Sequence, residues 1–157
     1  MSILSDREIK AFMHSGQISI EPFIEERLTP NGYDLSIAEL LIPAQGLRIV
    51  SDKARIPPLT WFLVGTLEKI SLGAKVSAQL WIKSSWARRG VLGSFGKVDA
   101  GFQGTLTLSA LNASQNPLEI TIGDPFAQIV FETLISEAEL TYEKRSGRYQ
   151  GQMGIKL

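Results

Sequence analysis

The 157-residue chain has no cysteine and a single histidine, His14. Without thiols there is no disulfide framework, thiolate zinc site, iron–sulfur cluster or cysteine nucleophile. One histidine builds neither a two-histidine metalloprotease site nor a His-Cys-Cys zinc centre. Net charge is absent too: sixteen Lys+Arg balance sixteen Asp+Glu, so no overall field gathers a polyanion or an anionic lipid. No apolar run approaches the roughly 18 residues of a membrane span, and MSILSDREIK lacks the uninterrupted apolar stretch of a secretory leader. We expect one soluble, cytoplasmic domain over residues 1–157, with neither nucleic acid nor membrane as partner.

What is present is punctuated β-structure. Ser5 and Glu8 fit a capping box, Ile9, Phe12 and Met13 share one helical face, and Gly16 is placed to end that short helix. Asp6 and Glu8 complement the helix dipole in its first turn, and His14 falls at its C-terminal end on the surface. Gln17–Pro22 alternates like a strand, and Pro30-Asn31-Gly32 is a turn leading into Tyr33–Ile37. Further on, Gly (14 in all) and Pro (7) divide apolar runs at Thr60–Gly65, Ala78–Lys83, Thr105–Leu111, Leu118–Ile122 and Phe126–Leu134. That spacing predicts a mainly β sandwich, barrel or jelly roll with few helices. Trp61 and Trp81 lie in these runs and are expected in the core, whereas Trp86 fits either core or site.

Three segments carry chemistry-bearing residues. In Lys83-Ser84-Ser85-Trp86-Ala87-Arg88 a strand end delivers a cation and two hydroxyls to a helical turn that Ser84 or Ser85 would cap. Free N–H groups and Arg88 there suit a phosphate. An ordinary cap with solvated cations accounts for the same residues. Val98-Asp99-Ala100-Gly101-Phe102-Gln103-Gly104 reads as a hairpin whose glycines let main chain approach a flat ligand. Asp99 at its lip either caps the turn or orients a water. The tail brings Tyr142, Arg145, Arg148, Tyr149 and Gln152 among three glycines, as a frayed terminus or a closing lid over 143–157. Gln128, inside an apolar strand, needs partners as structural glue or as a ligand contact.

Taken together, ILSDREI, PNGYDLSI, KSSWARRG, VDAGFQGTLTL, GDPFAQIVF and RYQGQMG resemble, in order and spacing, the dCTP deaminase and dUTPase superfamily. The likeness is strongest to archaeal-type dUTP diphosphatases of its dCTP-deaminase-like branch, and it spans Ile3 to Gly154. It implies a distorted jelly-roll or β-barrel of the dUTPase, β-clip type, with a short N-terminal helix and one or two more. It also implies a homotrimer with active sites at subunit interfaces, and a deoxynucleoside triphosphate bound with Mg²⁺ held through phosphates and water. By resemblance Lys83, Ser84, Ser85 and Arg88 take the triphosphate. Asp99 touches the deoxyribose and positions the catalytic water. Val98, Gly101 and Phe102 line the base and sugar pocket, while Gln128, Tyr142, Arg148 and Gln152 complete the phosphate shell.

One departure directs the functional expectation. Ten residues after Asp99, where deaminating members of the superfamily carry glutamate, this chain has Ser109. Zinc-free removal of the cytosine amine needs an acid/base group that a serine hydroxyl does not supply, and losing such a group costs about 10²–10⁴-fold in rate. Phosphoanhydride hydrolysis asks for an oriented water, a metal on the phosphates and cations on the developing charge. Smaller departures are Gly32 for serine, Ala100 for proline, and Lys83 for arginine, which keeps the charge without the planar fork. The expectation is a dUTP diphosphatase using Asp99 and Arg88. The alternatives are a dCTP deaminase, mono- or bifunctional, with another carboxylate such as Glu119 or Glu132 as substitute, and a silent nucleotide-binding homologue.

Overall fold

The computed structural model describes residues 2–157. A two-residue strand β1 (Ser2–Ile3) leads into helix α1 (Asp6–His14). Its start is the expected capping box: the Glu8 N–H donates to Ser5 Oγ, and the Ser5 N–H donates to Glu8 Oε2 at 2.9 Å. Its end is a left-handed Gly16 with φ +75°, where the Gly16 N–H donates to the Met13 carbonyl and the Gln17 N–H to that of Phe12. That pair of bonds satisfies the last carbonyls and turns the chain sharply. Ile9 is fully buried, with Phe12 and Met13 packed beside it.

The remainder is almost entirely β. After α1 come β2 (Ile18–Glu21), β3 (Leu28–Thr29), β4 (Gly32–Ile42), β5 (Leu47–Ile49), β6 (Lys53–Ile56) and β7 (Thr60–Thr66). Then follow β8 (Lys69–Leu72), β9 (Val76–Ile82), helix α2 (Ser84–Ala87), β10 (Val91–Ser94), β11 (Lys97–Val98) and β12 (Gln103–Gly104). The chain closes with β13 (Thr107–Asn112), β14 (Leu118–Thr121), β15 (Pro125–Thr133) and helix α3 (Tyr142–Arg145). The main sheet runs β10-β13-β7-β4-β15-β9-β11, curled into a half-barrel, with β1 added on β15 and β3 and β5 on β4. Strands β12-β8-β2 and β14-β6 form two smaller sheets. The mainly β expectation is borne out, with three helices. No helix among the described residues is long and apolar enough to cross a membrane.

The core gathers round Phe126 at the start of β15. Its ring centroid lies 6.2 Å from Phe62, 5.7 Å from Trp86 and 6.2 Å from Phe95, separations typical of edge and tilted aromatic packing. Trp86 is therefore a core residue, its indole N–H donating to the Pro125 carbonyl at 2.8 Å. Trp61 and Trp81 correct the core expectation: they are 44% and 59% exposed. Each alternates with an inward neighbour along its strand, so the pleat turns it outward.

Two local readings also change. Lys83, not Ser84 or Ser85, is the N-cap of α2, and no side chain caps that turn. The segment 98–104 is not a hairpin either. β11 pairs with β9 and β12 with β8, so the chain passes between two sheets within this turn.

Candidate active site

The crossing turn holds Asp99 in place. Val98 pairs with Ala78 on β9, and the Phe102 N–H donates to the Asp99 carbonyl at 3.1 Å to close the turn. Gly101 takes φ +85°, and a Cβ there would meet Thr141 Cβ at 2.4 Å, so glycine is required twice over. Ala100 and Phe102 tuck inward on either side, leaving the Asp99 carboxylate exposed at the lip.

Beneath that lip lies a cavity of about 340 Å³. Of the sequence-predicted residues Val98, Asp99, Phe102, Tyr142, Tyr149 and Gln152 line it, together with Ser109. Asp99 is the single carboxylate of the lining among the described residues. Leu63, Leu80 and Leu108 supply apolar wall. Such a mixture of apolar wall and a few convergent polar groups suits a small ligand. Asp99 and Tyr142 also border a neighbouring hollow of about 280 Å³ that carries Lys97, Arg145 and Ser146.

No acid has moved into the place beside Ser109. Its hydroxyl oxygen accepts the indole N–H of Trp61 at 2.7 Å. Glu119 lies on β14, bordering a different hollow with Lys53. Glu132 is buried on β15, where it accepts from the Gln79 amide and faces Lys97 Nζ at 3.6 Å. Neither lines the cavity that holds Asp99.

The tail is packed on its own chain. Tyr142 sets its ring edge-on to Phe102, with centroids 5.6 Å apart, and its hydroxyl accepts the Tyr149 N–H at 3.0 Å. Gln152 is 4% exposed, and its amide nitrogen donates to the Thr105 carbonyl at 2.7 Å, while the Thr105 N–H donates back to the Gln152 carbonyl. Farther on, the Ile155 N–H donates to the Glu39 carboxylate at 2.5 Å, which also accepts from Arg48 at 2.7 Å. Arg148 lies outside the cavity lining, its guanidinium 5.3 Å from the Tyr149 ring centroid.

The other predicted residues lie outside that lining. Lys83 pairs with the Asp34 carboxylate. The Gln128 amide donates to Thr29 Oγ1 at 2.9 Å. Ser84, Ser85 and Arg88 stand exposed on α2, and Gly101 faces Thr141. Sequence reasoning did not single out Phe95, Lys97, Thr107 or Lys156, all in the cavity wall. Thr107 and Ser109 share one face of β13, so the period-2 alternation was the available signal for the first of these; the rest come from separate segments joined only by folding.

The comparisons with known proteins agree with this architecture. A family model described as dCTP deaminase-like matches residues 43–134. A Pyrococcus horikoshii protein named dCTP deaminase is 43% identical over 137 residues, covering 86% of each chain. A protein of Sulfolobus islandicus rod-shaped virus 1, named a probable deoxyuridine 5'-triphosphate nucleotidohydrolase, is 33% identical over 99% of this chain and 97% of its own. Among solved structures, the 2'-deoxycytidine 5'-triphosphate deaminase of Agrobacterium tumefaciens superposes with TM-score 0.71 at 21% identity. That match covers 84% of this chain, which spans only 48% of the Agrobacterium one. The names of these relatives divide between two activities, but the span matched by the family model includes the turn of Asp99 and the strand of Ser109, and the chain belongs to the dCTP deaminase-like family.

Proposed function

We propose that the chain hydrolyses dUTP to dUMP and pyrophosphate. The observation that carries this reading is the acid inventory of the cavity, with Asp99 as its one carboxylate and Ser109 engaged by an indole. Removing the amine of cytosine requires a group that takes a proton from water and passes one to departing ammonia, and a serine hydroxyl is far too weak an acid and base for that. Phosphoanhydride cleavage needs less. A water adds to the α-phosphorus, the bond to the α–β bridging oxygen breaks, and pyrophosphate leaves while Asp99 accepts a proton from the water.

The substrate is dUTP carrying Mg²⁺, which neutralises phosphate charge. One carboxylate beside a triphosphate fits an ion that keeps several waters and is held largely by phosphate oxygens.

Lys83, Ser84, Ser85, Arg88 and Gln128 act on the triphosphate in this reading. Since they lie outside the cavity of their own chain, a neighbouring copy in a homotrimer supplies them to each Asp99. Arg88 stabilises charge on the phosphates, and segment 143–157 is the lid. A second reading, dCTP deamination, is favoured by the names of the relatives at 41–43% identity; Asp99 would then be the acid nearest the base.

Pyrophosphate and ammonia measured separately from dUTP and from dCTP, each with Mg²⁺, decide between them. Pyrophosphate from dUTP without ammonia from dCTP is the expected result; ammonia from dCTP overturns it.

A further inference from the structure

We propose that Trp61 sets the base preference of this site by fixing the hydroxyl of Ser109, so that the cavity favours a pyrimidine with a carbonyl, not an amine, at its 4-position. The inference rests on the reading that the cavity takes a pyrimidine nucleotide, and deepens it.

Trp61 does not line the cavity. It stands near the start of β7 opposite Leu111, while Ser109 stands opposite Leu63, so the two side chains are diagonal neighbours across the β7–β13 pair. The indole nitrogen is a donor with no acceptor capacity. In the 2.7 Å contact Ser109 Oγ is therefore the acceptor, and its own proton is free for another partner. A hydroxyl that already accepts one short hydrogen bond is polarised into a stronger donor and a poorer second acceptor. On the same strand Thr107 Oγ1 already accepts from the Lys156 N–H at 3.2 Å and from the Gln152 amide at 3.4 Å, so it adds no free acceptor for an amine. Ser109 thus offers the cavity a donor whose direction is set from behind by Trp61. The 4-carbonyl of uracil accepts such a bond. The 4-amine of cytosine presents donors of its own and meets a weakened acceptor. Trp61 is a positioning residue, since it acts through Ser109 and touches no substrate.

The test compares the dissociation constants of non-hydrolysable α,β-imido dUTP and dCTP for the full chain and its Trp61→Phe, Ser109→Ala and double variants. The full chain prefers the dUTP analogue. Trp61→Phe lowers that preference by about 3- to 10-fold, the range of one neutral hydrogen bond; Ser109→Ala does the same. Adding Trp61→Phe to Ser109→Ala changes the ratio no further, the non-additivity expected of a residue acting through its neighbour. A merely structural tryptophan would alter melting temperature and both affinities alike, leaving the ratio unmoved, and that outcome overturns the proposal. So does an effect of Trp61→Phe that persists without the Ser109 hydroxyl. If Trp61→Phe does not fold, Ser109→Ala alone decides, and an unchanged ratio there refutes the idea. Pyrophosphate release by the unmodified chain separates the two layers. Preference for the dUTP analogue without turnover removes the hydrolytic reading and leaves this one standing. Turnover of dUTP with an unchanged ratio in the variants does the reverse, and binding of neither analogue removes both.

Discussion

Lys83 and Asp34 reach each other from opposite flanks of β15: Lys83 follows β9, Asp34 lies on β4, and the lysine ammonium pairs with Asp34 Oδ2. The other oxygen, Oδ1, is buried without a partner among the described residues. The side chains are 27% and 12% exposed, so the pair is only partly screened by water. Removing one partner of such a pair leaves a poorly solvated charge behind.

Lys83→Ala is expected to lower unfolding free energy by about 1–3 kcal/mol, below the fully buried case because of the residual exposure. Urea denaturation measures it, and Lys83→Arg should recover most of the loss. An alanine variant with the parental midpoint would show that the pair contributes nothing.

Asp99→Asn should lower pyrophosphate release by about 10²–10⁴-fold. The amide keeps the shape of the exposed lip, so binding of the imido dUTP analogue should change little. Calorimetric binding and steady-state kinetics read the two separately, and near-parental turnover would remove Asp99 from its role.

Gly101→Ala should destabilise the fold and reduce turnover together. A left-handed backbone costs alanine about 1 kcal/mol before sterics, and the new methyl meets Thr141 at 2.4 Å. Relief of the strain would move the turn that carries Asp99, so kcat should fall along with Tm. Thermal melts and kinetics on the same preparation check it; loss of stability at constant kcat would separate turn from catalysis.

Glu68 predicts a pH dependence. It has no exposed surface, and burial pushes its carboxyl above the ordinary 4.5, opposed by the Ser36 N–H that donates to it at 2.9 Å and by the charge of Arg27. With the folded pKa raised, the native state keeps its proton after the unfolded chain has released its own. Stability therefore falls as pH rises from about 4.5 through the raised value, and levels off above it. Glu68→Gln should flatten that fall, whatever its offset, in urea midpoints collected across the window. An unchanged slope would assign the effect to other groups.

The strands were legible because apolar runs bounded by Gly and Pro have few other ways to bury themselves, and α1 was legible because both its ends follow local hydrogen-bond rules. The facing of Trp61 and Trp81 was not. Trp61-Phe62-Leu63-Val64 and Leu80-Trp81-Ile82 are apolar on both sides of the pleat, so alternation carries no sign of which residue turns inward. The turn at 98–104 has the composition of a hairpin, but its pairing is decided by β8 and β9, remote in sequence. The tail reads as weakly periodic because it is fastened largely through main-chain groups, including the Thr105 and Ile155 N–H donors, which leave little trace in residue type. Asp99 and Ser109 were legible only through the motif around them, while their meeting in one cavity required the fold.

The outward setting of Trp61 has a practical corollary. A half-exposed indole bonded to a cavity hydroxyl is a built-in optical reporter. Trp86 is buried and should emit at shorter wavelength than the exposed Trp61 and Trp81. Trp61 should answer to occupancy through a change in its fluorescence, so that filling of the cavity becomes visible in the unlabelled protein.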